Sequence, residues 1–337
     1  MLWLASSVAL RAMAWPGQNG LAFVCPWLTE EGEERHGDFR VAEVLLFVER
    51  SLRYRKAMTL FQRLLQRCAL GLALAMGVGA ALDDALARDQ AADRSCLGPV
   101  PCVLDNRSYH VLEPEGWDGK TPLPVLLHFH GWGRQGTLIV KHSRIAGATK
   151  ERGVLLVAPN GQGRTWRFRT ANSPDVAFAD AVIADIAKRW PIDRAQIFVS
   201  GYSYGGAMAW RYACHSKTRL KAVFAVSGTA SLRGDGCVRP VTLHHVHGTR
   251  DTVLPYPFGP GGSVEEAVAY WRAHNRCAET VSKKEIWKAV PILTFTRHVW
   301  RDCASGFDVV LDVHPRGHFI PRFWIARQLD DYGLSAR

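Results

Sequence analysis

Short apolar runs, each closed by turn residues, recur along the second two thirds of the chain. Val125 to His130 reads VLLHFH and stops at Gly131, and Val154 to Ala158 stops at Pro159-Asn160-Gly161. Gln196 to Ser200, Ala222 to Val226, Val241 to Val246 and Phe307 to Val313 have the same form. Such runs predict strands buried on both faces. Between them, Asp175 to Trp190 places Val176, Ala179, Val182, Ile183 and Ile186 on one helical face, and Pro191 ends it. Gly206 to Cys214 and residues 264–274 also predict helices. Alternating strands and helices predict an α/β domain with a mostly parallel sheet covered on both faces.

The first 87 residues lack this alternation. Arg63 and Arg67 precede an uncharged apolar run from Cys68 to Ala81, and small residues follow at Val78-Gly79-Ala80 and Ala85-Leu86-Ala87. That is the layout of a signal peptide over 58–87. Its 14 apolar residues fall short of a membrane span, which needs roughly 20. Residues 1–57, with an acidic knot at Glu30, Glu31, Glu33 and Glu34, are read as an upstream extension to a start near Met58. The expected working chain is a single catalytic domain, 88–337, secreted or periplasmic and free of stable membrane association once cleaved.

Composition supports this division. The chain of 337 residues is 47% hydrophobic and 22% charged, which is globular composition. Its net charge of +11 falls wholly on residues 88–337, because basic and acidic residues balance before them. An exported chain without a nucleic-acid-binding module is not expected to bind nucleic acid. Beyond Cys25 and Cys68, six cysteines remain: Cys96, Cys102, Cys214, Cys237, Cys277 and Cys303. An even set in an exported protein reads as disulfides, and six allow fifteen pairings. Order along the chain favours 96–102, 214–237 and 277–303.

The chemistry concentrates in Gly201-Tyr202-Ser203-Tyr204-Gly205, a G-x-S-x-G between a predicted strand and a predicted helix. A serine at such a turn projects its hydroxyl above the sheet, and a helix N-terminus favours developing negative charge. The base and its carboxylate should follow in the order Asp, then His. Asp251 lies after the run 241–246, whereas Asp235, Asp302, Asp308 and Asp312 are placed less well. His318 follows the last strand in a glycine-flanked loop, with His314 as its rival. Oxyanion donors are expected from the amides of Tyr204 and Trp132. His128/His130 and His245/His247 have strand spacing and no third spaced ligand, so neither a metal nor another cofactor is expected.

From about Cys96 onward the chain resembles the polyhydroxybutyrate depolymerase family of α/β-hydrolase esterases, whose relatives include feruloyl and acetylxylan esterases. The resemblance rests on HFHGWG, APNGQGRTW, GYSYGG, HGTRDTVLPY and GHFIP. It implies an α/β-hydrolase fold, Ser203 as nucleophile, Asp251 and His318 as its partners, and the same cysteine pairing. It also implies substrate contacts from Trp166, with Arg164 and Tyr202 beside them. The expected activity is hydrolysis of polyester or hydroxyalkanoate oligomers; the alternatives are plant cell-wall esters, a serine peptidase, or a silent binder of acidic polymers through Arg164, Arg167 and Arg169.

N-terminal sequencing of the protein from its native host should begin beyond residue 80. Recovery of residues 1–57 on the mature chain would overturn the upstream-extension reading.

Overall fold

The computed structural model describes residues 94–336, apart from 233, 235, 260 and 261. The expected extension and signal segment, 1–87, lie outside the described residues. Within them the chain forms strands β1 (Cys102–Leu104), β2 (Arg107–Leu112), β3 (Leu123–Phe129), β4 (Leu155–Pro159), β5 (Ile192–Tyr202), β6 (Ala222–Val226) and β7 (Thr242–Gly248). A small pair, β8 (Phe258–Gly259) and β9 (Gly262–Ser263), precedes β10 (Lys283–Val290), β11 (Leu293–Trp300) and β12 (Val309–His314). The helices are α1 (Gly136–Ile139), α2 (Ser143–Lys150), α3 (Pro174–Arg189), α4 (Tyr204–His215), α5 (Val264–His274) and α6 (Trp324–Asp330).

Among the described residues, ten strands form one sheet in the order β1-β2-β4-β3-β5-β6-β7-β12-β11-β10. The six central strands run parallel, and antiparallel pairs flank them at both edges. Each central strand sends alternate side chains to opposite faces. Val125, Leu127 and Phe129 of β3 join one core with Ala179 and Ile183 of α3, Trp210 of α4 and Trp271 of α5. Leu126 joins the other with Ile145 of α2 and Trp324 and Leu329 of α6. These helices therefore cover both faces, as the alternating pattern predicts.

Local chemistry sets the helix boundaries. Ser173 accepts the Asp175 N–H, Pro174 occupies the first turn, and Lys188 and Arg189 close the last one. Ser263 likewise caps α5 through the Glu266 N–H at 3.2 Å. The β10–β11 hairpin escapes a search for continuous apolar runs because its strands alternate. Leu293, Phe295 and Val299 face inward while Ile286 stays exposed.

One buried ion pair joins this hairpin to the sheet. Arg297 of β11 donates to both carboxylate oxygens of Asp312 on β12, at 2.9 and 2.8 Å. Trp324 and Trp287 donate to the same carboxylate at 2.8 and 3.1 Å. Three disulfides, Cys96–Cys102, Cys214–Cys237 and Cys277–Cys303, follow the expected pairing. In the chain-entropy account each of the two longer loops, separations 23 and 26, stabilises by about 3 kcal/mol.

Several histidines are buried in the sheet. Burial lowers the pKa of His128 to about 3, and those of His130, His244 and His314 to about 4. Between pH 6.5 and 4 the unfolded chain therefore binds protons that the folded chain refuses, so stability rises with pH there. Each such group contributes a slope of about 1.4 kcal/mol per pH unit. The urea midpoint should hold above pH 7 and fall steadily below 6.5; a flat midpoint down to pH 4.5 would contradict this burial.

Candidate active site

The ends of β5, β7 and β12 bring the three candidate residues to the C-terminal edge of the sheet. Ser203 sits between β5 and α4 with φ 58° and ψ −122°, a strained backbone for a residue with a Cβ. Crowding holds it there. A Cβ on Gly201 would stand 2.0 Å from the Gly205 carbonyl oxygen, and one on Gly205 would stand 2.0 Å from that of Phe129. Only glycine lets β3, β5 and the start of α4 approach so closely. The Ser203 N–H donates to the Val226 carbonyl at 2.9 Å, tying the corner to β6 as well.

Asp251 lies in the loop after β7, buried at 4% exposure. Its Oδ1 accepts the N–H groups of Val253 and Leu254 at 2.9 and 2.8 Å. Its Oδ2 lies 2.6 Å from His318 Nδ1 and 3.3 Å from His247 Nε2. Burial alone would raise this carboxyl's pKa, but the bonds from His247, His318 and the Leu254 amide outweigh it and hold it at about 2. Asp251 is thus a carboxylate at neutral pH.

His318 follows β12. With Nδ1 on Asp251, its Nε2 is the nitrogen left to act as a base. Tyr202, next to Ser203 in the chain, tilts its ring against the His318 ring with centroids 4.9 Å apart and donates its hydroxyl to the His318 carbonyl at 3.2 Å. Burial first, then the Asp251 charge, pushes the Tyr202 hydroxyl to about 12, so it remains a donor. The expected substrate residue Tyr202 is thereby a brace for the histidine. The rival His314 is buried against Phe295 and Phe319, and its Nδ1 accepts the Arg316 N–H at 3.2 Å.

The loop after β3 supplies the second oxyanion candidate. A Cβ on Gly131 would stand 3.6 Å from the Ser203 Cβ, so the Gly131 backbone lies beside the serine. Trp132 itself is 69% exposed. Tyr204 opens α4, where an amide has no intrahelical acceptor.

Trp166 departs from its expected role. It is 4% exposed, and its indole N–H donates to the His130 carbonyl at 2.7 Å. It supports the 130–133 loop from its buried side, whereas a residue touching substrate would need an open face. His130 helps: its Nε2 accepts the Gly161 N–H at 3.0 Å, so its proton sits on Nδ1, which faces the Gly131 carbonyl at 2.8 Å. Arg164 contributes its carbonyl to the Gly133 N–H at 2.8 Å, while its side chain is exposed. Because the indole is buried, Arg164, Arg167 and Arg169 do not ring an open aromatic surface. His130, His245 and His247 give no chemical signal beyond strand spacing, and the structure places His247 against Asp251, His245 behind it and His130 beneath the loop after β3.

A cavity of about 940 Å³ opens at the other end of the sheet, where Lys221, Thr242 and Asp308 precede β6, β7 and β12. Arg194, Arg219 and Arg301 line it, and it holds none of the candidate triad.

A serine, a histidine on a buried carboxylate and two backbone amides are the parts of an acyl-transfer site. A fluorophosphonate should label Ser203. Asp251→Asn, which favours the wrong His318 tautomer, should slow labelling by about 10⁴-fold; an unchanged rate would contradict the geometry.

Comparison with known proteins agrees with this architecture. A phospholipase/carboxylesterase family model matches residues 171–274, from α3 through α5. Feruloyl esterase C of Emericella nidulans is 30% identical over 161 residues, covering 46% of this chain and 59% of that protein. Feruloyl esterase D of Neurospora crassa is 24% identical over 224 residues, 63% of this chain and 74% of that one. The chain therefore spans about six tenths of the first relative's length. An acetyl xylan esterase from Aspergillus awamori superposes with TM-score 0.52 at 16% identity, over 68% of this chain and 95% of that one. The chain has the α/β-hydrolase fold and is similar over about half its length to feruloyl and acetylxylan esterases.

Proposed function

We propose that the chain is an exported serine esterase that cleaves feruloyl or acetyl esters of plant cell-wall polysaccharides. The observation that carries the reading is the 2.6 Å bond from His318 to a buried, ionised Asp251, on strand ends adjoining the strained Ser203 corner. His318 Nε2 takes the Ser203 proton as the hydroxyl oxygen attacks the ester carbonyl. The amides of Tyr204 and Trp132 hold the resulting oxyanion, each contributing about 10²–10³ in rate. Collapse breaks the bond to the alcohol, which leaves with the proton from His318. Water, activated by the same histidine, then releases the acid and restores Ser203.

The substrate class rests on likeness. The relatives' names support cell-wall esters over the polyester expected first from sequence, and the polyester becomes the competing outcome of the assay. Three disulfides support export, and residues 58–87 remain the proposed signal peptide.

Purified protein should hydrolyse methyl ferulate or acetylated xylan faster than hydroxybutyrate oligomers. Ser203→Ala, folded by circular dichroism, should lose at least about 10⁴ in kcat/KM. Faster turnover of hydroxybutyrate oligomers would restore the polyester reading, and an active Ser203→Ala would refute the nucleophile.

A further inference from the structure

Beside Asp251, a line of side chains runs into the core. Trp210 Nε1 of α4 stands 3.3 Å from His245 Nδ1, and His245 Nε2 stands 3.2 Å from His247 Nδ1. His247 Nε2 in turn stands 2.8 Å from the Leu254 carbonyl and 3.3 Å from Asp251 Oδ2. The two imidazoles stack with centroids 5.4 Å apart, and all three rings are within 1% of full burial.

Both ends of this line are fixed in direction. An indole N–H can only donate, and a carbonyl or carboxylate can only accept. His245 must therefore accept on Nδ1 and, as a neutral ring, donate from Nε2. His247 must then accept on Nδ1 and donate from Nε2. A proton added to His247 Nδ1 would face the His245 N–H, and moving that one to His245 Nδ1 would make it face the Trp210 N–H. Burial also holds the His245 pKa well below its ordinary value. The other titratable groups facing His247 are His314 of β12 and Tyr256, whose ring lies 5.7 Å away.

We propose that Trp210, His245 and His247 form a positioning chain that locks one tautomer of each imidazole and aims the His247 Nε2–H at the Leu254 carbonyl, with the Asp251 carboxylate sharing it at 3.3 Å. That shared N–H, with the His318 contact on Oδ2 and two amides on Oδ1, holds the carboxylate in one orientation toward His318. The chain rests on reading Ser203, Asp251 and His318 as a triad. His247 touches no reacting atom and acts only through Asp251. A purely packing role would be filled as well by an apolar ring, which needs no partner at either end.

The test combines spectroscopy with kinetics on the full chain. In ¹⁵N-histidine NMR at pH 7.5, the resonances that vanish in His245→Gln and His247→Gln should each report a ring protonated on Nε2 alone. A His247 protonated on Nδ1 would overturn the chain. His247→Ala should lower kcat about ten- to hundredfold, the worth of one hydrogen bond to a charged acceptor, with KM unchanged. His247→Gln, which keeps an N–H near the carboxylate, should recover part of that loss. A folded His247→Ala with wild-type kcat, in a protein whose Ser203 still reacts with a fluorophosphonate, removes the chain alone. A wild-type protein that fails to react removes the triad beneath it.

Discussion

The contact between the Gly205 Cα and the carbonyl of Phe129 leaves no space for a side-chain atom, and the site is arranged around that approach. It presses the end of β3 against the first turn of α4. The chain between β5 and α4 must then reverse within one residue, and Ser203 takes the left-handed backbone that the reversal requires. The same approach brings the Gly131 backbone beside Ser203. One steric fact thus sets both the posture of the candidate nucleophile and the nearness of the loop proposed to supply a donor. The strain, of order 1–3 kcal/mol for such a residue, is small beside the two cores that enforce it.

The partners of the serine depend on a different kind of anchoring. Asp251 and His318 lie in loops, and each loop is held by the strand before it. β12 is fixed on one side by β7 and on the other by β11, where Arg297 grips Asp312 through two hydrogen bonds and two indoles complete the carboxylate. Breaking a buried pair of this type by removing one partner commonly costs 3–5 kcal/mol, since the charge left behind stays buried. The pair lies six residues before His318, on the strand that delivers it. The edge hairpin, α6 and the His318 loop are therefore tied through one buried carboxylate.

How much of this was legible in the sequence follows from which physical signals are local. The buried parallel strands announce themselves as continuous apolar runs, and α5 matches its expected range of 264–274 residue for residue because Ser263 caps it clearly. Ser203, Asp251 and His318 are readable as candidates because each follows a strand that can be recognised, and the structure brings Asp251 and His318 together. The edge strands β10 and β11 were not, since a half-exposed strand alternates and leaves no run. Trp166 was misjudged for a related reason. A tryptophan beside glycines reads the same whether it faces a ligand or supports a loop, and only the indole's bond to His130 decides. The roles of His245 and His247 depend on Trp210, 35 residues from the first of them. No local pattern carries that pairing.

Electrostatics ties these observations together. His128, His130, His244 and His314 are held neutral by burial at working pH, so these rings add almost no positive charge around the site. Asp251 is a carboxylate held by the Val253 and Leu254 amides and His318, with His247 Nε2 3.3 Å away, and among the described residues no lysine or arginine pairs with it. A permanent cation in that position would cancel the field that an imidazolium needs. Donors from neutral groups instead keep the carboxylate ionised while leaving its charge available to His318. Arg164, Arg167 and Arg169 are exposed, so their charge acts on the approach of ligands and not on the buried carboxylate.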